Sequence, residues 1–301
     1  INSKYYFTSK RGTVYNSIPF FKYLEDSEFL SEATKRKWNL IGFDQEFYIG
    51  FIPNIERMYN NLTDKKKKEL KDLRGQVISE LESLIKDNFL SDDSKTFVKI
   101  YDSKEINRFL ESASEKNPKN KKIADEIKIS TEIYRYNELG EYYKNNNSRA
   151  EYMKKNLAEN FAKLKFDLKK DKMLLKMGGL HTSRGLSRFD IADFGNTLSE
   201  LAAFNGNRSL HLVFGYRYFV KDGVETDSLN TPKDKPDVFQ PFLQMAKRDK
   251  WVIIDLRKLR PAVFSSLFSF NPLIRQTILG KDLYIIPPME KDPTPNYVLK
   301  N

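Results

Sequence analysis

Hydrophobic positions along this chain recur at two spacings, and the spacings map onto different stretches. Ile191, Phe194, Leu198 and Leu201 follow one another at intervals of 3, 4 and 3, one face of an amphipathic helix. Asn205-Gly206 then supplies a C-terminal stop. Ahead of that helix, residues 173–177 form a short apolar run broken only by Lys176, which predicts a buried strand. Gly178 and Gly179 punctuate it, and His181 lies in the loop that follows. Short apolar runs at 38–43, 210–214, 251–256 and 283–286 predict further strands, with helical segments at 239–247 and 261–268 between the last of them. Near the start, 4–7 reads as a strand and 19–30 as a helix. This alternation predicts an α/β fold: a mostly parallel sheet flanked by helices.

Between about 53 and 168 the pattern changes to Lys/Glu-rich stretches with helical spacing. Leu70, Leu73, Val77, Leu81, Leu84 and Ile85 form one stripe, and Ile123, Ile127, Ile133, Tyr134 and Leu139 a second, with Asn117-Pro118 breaking between them. Ser148-Arg149-Ala150-Glu151 has the form of a capping box. It is expected to open a helix with Met153, Leu157, Phe161, Leu164 and Leu168 on one side. The expectation is one α/β domain over 1–301, with 53–168 a helical insertion or cap rather than a coiled coil, since no strict heptad is sustained. Residues 223–236 read as a polar loop. Pro287, Pro288, Pro293 and Pro295 make 287–301 an extended tail.

Composition narrows the chemistry. The 301 residues include no Cys, which excludes disulfides, thiolate metal sites and a Cys nucleophile. The net charge of +11 is spread over clusters that alternate with Glu and Asp, as on solvated helix faces. No nucleic-acid motif accompanies it, so a nucleic-acid partner ranks low and a small-molecule ligand or substrate is expected. No run approaches a membrane span in length, and no signal peptide is visible. The compartment stays open between cytoplasm and export, and the oligomeric state is not readable.

There are two histidines. His211 lies inside an expected strand and reads as structural. His181 follows a predicted strand, as do Asp44 and Glu46, and loops at the carboxyl ends of strands form the ligand crevice of an open α/β sheet. A carboxylate beside a His can orient the ring and strengthen it as a base, although Asp44 and Glu46 taken by themselves read more readily as a helix cap or ion pair. Arg184 and Arg188 suit an oxyanion, carboxylate or phosphate. No G-x-S-x-G elbow and no H-E-x-x-H spacing occurs. No metal or other cofactor is therefore predicted, although His181 with Asp44 or Glu46 could ligate a divalent metal.

Lys176 to Glu200, with Gly178-Gly179-Leu180-His181, Asp193-Phe194-Gly195-Asn196 and Leu198-Ser199-Glu200-Leu201, resembles the second half of the erythromycin esterase-like family of the haem-uptake/Tiki-type superfamily. Gly42-Phe43-Asp44-Gln45-Glu46 resembles its acidic strand exit. Ser148 to Met153 with Asn156 and Asn160 resembles its Arg-x-x-x-Met-x-x-Asn helix. The resemblance implies a hydrolytic site with His181 and Glu46 or Asp44, and Arg149 as their partner. The family's early Gly-Glu-x-His-type motif has no counterpart here. The expectation is that the native gene encodes further residues upstream of Ile1. Two functions follow: an esterase-like hydrolase using His/carboxylate-activated water, or a non-catalytic small-ligand (haem or anion) binding protein with a degenerate site.

Overall fold

The protein is described from a computed structural model, which covers residues 24–90, 94–221, 224–230 and 238–289. The chain divides into two compact units. One comprises Ile1–Gly42 with Leu157–Asn301; the other is Phe43–Asn156.

The Phe43–Asn156 unit is helical, as the Lys/Glu-rich stretch led one to expect. It contains α2 (Phe51–Asn60), α3 (Asp64–Leu90), α4 (Thr96–Asp102), α5 (Lys104–Ser114), α6 (Pro118–Glu138) and the start of α7 (Tyr142–Leu164). The expected stripe on α3 is buried at Leu70, Leu73, Val77, Leu81 and Leu84, against Phe51, Ile55 and Met58 of α2 and Phe109 and Leu110 of α5. Local caps set the boundaries. Ser103 accepts from Ile106 N at the start of α5, and Asn117 accepts from Asn120 N with Pro118 in the first turn of α6. Buried Asn120 donates to the carbonyls of Met58 (2.9 Å) and Ala113 (2.8 Å), tying α6 to α2 and α5. The capping-box reading at Ser148 is corrected: α7 already runs from Tyr142, because Gly140 breaks the chain at φ +75 and Asn145 satisfies the Ile133 carbonyl.

The other unit holds α1 (Leu24–Lys35), the end of α7, α8 (Phe194–Phe204), α9 (Gln240–Leu243), α10 (Arg260–Val263) and α11 (Pro272–Gly280). Its strands are β1 (Leu212–Phe214), β2 (Tyr218–Lys221), β3 (Val224–Asp227), β4 (Val252–Asp255) and β5 (Leu283–Ile286). Strands β1, β4 and β5 occur where the apolar runs predicted them. They form a three-stranded sheet of order β1-β5-β4, with Val213 opposite Tyr284 in parallel and Ile254 opposite Tyr284 antiparallel. Phe242, Leu243, Leu256, Ile278, Tyr284 and Ile286 form its core.

The expectation of a mostly parallel sheet is therefore corrected to a small mixed one in a largely helical chain. Residues 38–43 and 173–177 are not strands. Trp38, Met173 and Leu174 are exposed, and among the described residues neither run pairs with a strand. Neither Asp44 nor His181 consequently leaves a strand. The polar stretch after Lys221 was expected to be loop, yet β3 pairs antiparallel with β2 through Phe219 and Thr226. The helices expected over 239–247 and 261–268 shorten to α9 and α10. The strand expected at 4–7, the first part of the helix expected from 19, and 290–301 of the tail lie outside the described residues. Among the described residues no helix is long and apolar enough to cross a membrane.

Candidate functional site

His181 sits in a 3-10 turn (Gly179–Thr182) entered from Gly178, whose carbonyl accepts the His181 N–H at 3.0 Å. From there the chain makes a pinched loop. Leu186 and Ala192 form an isolated antiparallel bridge, and Ser187 N donates to Ile191 O at 2.8 Å. The pinch returns the chain so that Asp193 opens α8 beside the turn it has just left. His181 Nδ1 and Asp193 Oδ2 are 2.7 Å apart, with the two residues 4% and 2% exposed. The other carboxylate oxygen accepts from Phe194 N at 2.6 Å. Gly195 is required here: a Cβ would stand 2.4 Å from the Thr182 carbonyl carbon and 2.8 Å from Ser183 N.

An ionised Asp193 accepts Nδ1–H, which fixes the imidazole tautomer and leaves a lone pair on Nε2. No other hydrogen bond to the ring is present among the described residues. The other histidine is fully engaged. His211 Nδ1 donates to Thr182 O at 2.6 Å and Nε2 accepts from Ser209 Oγ at 2.9 Å, while burial holds its pKa below the usual imidazole value. His211 is thus the structural residue its sequence context suggested.

Behind the turn lies a second ionic cluster. Arg184 donates to both oxygens of Asp282, at 2.9 and 2.7 Å, and to Ser209 O at 2.8 Å. Arg260 Nη2 reaches Asp282 Oδ1 at 3.1 Å, and His211 N donates to Oδ2 at 2.8 Å. Burial opposes the charge on Asp282, but the bonds from Arg184 and His211 N, joined by Arg260, outweigh it and hold the carboxyl down to about 2. Arg184, expected to meet a substrate, is committed to this carboxylate. Arg188 is exposed on the loop, with its guanidinium 4.7 Å from the Phe189 ring centroid.

The remaining expected site residues belong to the Phe43–Asn156 unit. Asp44 and Arg149, 105 residues apart, form a two-point ion pair: Nε to Oδ1 at 2.9 Å, and Nη2 to Oδ2. Asn156 Nδ2 donates to Phe43 O at 3.0 Å. Glu46 accepts from Asn54 (3.3 Å) and from Phe47 N (3.2 Å), and its own N–H donates to Ser130 Oγ. Burial raises the Glu46 pKa against the lowering effect of those two bonds, and Glu126 adds to the rise. A folded value above the unfolded one means that the proton's stabilising contribution is complete at low pH and lost as pH rises through the raised value. Glu46→Gln is therefore expected to melt above the wild type near pH ~8, with the gap closing below pH ~4. A gap of constant size across thermal melts at both pH values contradicts this.

Asp193, Lys281 and Asp282 were not singled out from the sequence as site residues. Asp193 carried one usable signal, an Asp at the N-cap of an apolar-faced helix. Lys281 and Asp282 carried none, since they join the cluster only through β5. Among the described residues no three His or carboxylate side chains converge as a metal ion would need. No family model, curated protein or solved structure matches the chain.

Proposed function

We propose that the protein is a hydrolase of the erythromycin esterase-like kind, acting on a small-molecule ester through water activated by His181. The observation that supports this reading is the buried 2.7 Å contact between His181 Nδ1 and Asp193. In this reading Asp193, rather than Asp44 or Glu46, orients the ring. Nε2 takes a proton from water as its oxygen attacks the acyl carbon, and the imidazolium returns that proton to the departing alkoxide. Asp193 stabilises the imidazolium while it exists and remains ionised itself. The resemblance of 176–200 to that family supports the same assignment of His181 as the base.

Steady-state turnover of a panel of aryl and alkyl esters tests the proposal. The wild type is expected to hydrolyse at least one, and His181→Ala to lose about 10²–10⁴-fold in kcat, the usual contribution of one acid–base group. A wild-type protein silent across the panel, or a His181→Ala variant as fast as its parent, overturns it.

A further inference from the structure

Lys281 joins α11 to β5, is 2% exposed, and has no part in the hydrolytic step above. A lysine is rarely so buried without a specific partner. Its Nζ donates to Gly179 O at 2.7 Å and to Thr182 Oγ1. Those acceptors are the first and last residues of the 3-10 turn that carries His181. One ammonium group thus bridges both ends of the element that aims the imidazole. We propose that Lys281 is a positioning residue for His181, clamping both ends of the turn that carries it.

This role rests on the reading of His181 as the base. Burial draws the Lys281 amine down to about 7, Asp193 works to raise it, and Arg184 lowers it further. The charged and titratable groups around it are His181 on the turn, Asp193 at the head of α8, Arg184 on the loop and His211 before β1. Asp282 is its neighbour in sequence, and Arg260 donates to the Lys281 carbonyl at 2.9 Å. Asp193 is the carboxylate among them that supports the Lys281 charge, Asp282 being held between two arginines. The neutral amine above about 7 still has N–H groups for Gly179 and Thr182, so the turn stays clamped in either protonation state of Lys281.

The test needs no substrate, so its outcome is separable from that of the ester panel. In the full chain labelled with 13Cε-lysine, the Lys281 signal is identified by its loss in Lys281→Met. Its midpoint is expected at about 7 and is expected to fall in Asp193→Asn, which removes the supporting charge. An unmoved midpoint overturns Asp193 as the charge that supports the ammonium. The low-field proton resonance of the His181 Nδ1–H, identified by its loss in His181→Gln, reports on positioning. It is expected to broaden or vanish in Lys281→Met and to return in part in Lys281→Arg. Its persistence unchanged in Lys281→Met overturns the clamp. Should Lys281→Met fail to fold, Thr182→Val removes one of the two acceptors with Lys281 in place, and the same resonance is expected to weaken.

Discussion

Asp282→Ala is expected to destabilise the protein by about 3–5 kcal/mol at neutral pH, the cost of removing one partner from a buried ion pair. Asp282 is 4% exposed and accepts from Arg184 at two points, from Arg260 and from His211 N. Alanine leaves two guanidinium groups without their carboxylate and a buried backbone N–H without its acceptor. The wild type depends on the same charge. Because the folded value, about 2, lies below the unfolded one, the contribution is present above the ordinary Asp range and is lost as pH falls from about 4 towards 2. Denaturant melts at pH ~7 and pH ~2 check both statements. The gap between variant and wild type is expected to be wide at the first and narrow at the second. A gap under about 1 kcal/mol at pH ~7 contradicts the reading of Asp282 as the charge that holds Arg184 and Arg260.

Gly195→Ala is expected to cost about 3 kcal/mol, the upper end of what overpacking usually exacts. The obstacle is backbone. The new methyl would meet the Thr182 carbonyl carbon at 2.4 Å, and no side-chain rotation relieves that. Either α8 or the 3-10 turn must withdraw, and His181 and Asp193 ride on opposite sides of that contact. Thermal stability and the low-field His181 proton are therefore expected to be lost together. A variant that melts lower while keeping that resonance unchanged shows that the strain is absorbed elsewhere.

Local pattern was legible in the sequence; long-range pairing was not. The stop at Asn205-Gly206 appears as written, with Gly206 at φ +72, because the left-handed position it fills is a property of that residue. The stripe on α3 and the break at Asn117-Pro118, where α6 begins, are likewise local features of the sequence. The runs at 38–43 and 173–177 misled because apolar composition does not distinguish a strand from an extended segment. Pairing decides, and the partner is not written nearby. Asp44 and Arg149 were named as associates only through family resemblance. The bidentate contact between them spans 105 residues that no local rule connects. Lys281 and Asp282 stand before a readable strand, yet their partners lie about a hundred positions upstream.

That contrast in separation sets an order of events as the chain leaves the ribosome. His181 and Asp193 are 12 residues apart, whereas Arg184 meets Asp282 across 98. Closing the longer loop costs about 2 kcal/mol more chain entropy, roughly three doublings in length. His181 and Asp193 can thus meet as soon as the pinched loop and the head of α8 emerge. Its anchor arrives only after β4 and α11 have been synthesised. A nascent chain stalled before Lys281 would carry the His181–Asp193 contact without the means to hold its turn still, and emergence of Lys281 and Asp282 is the event that locks it.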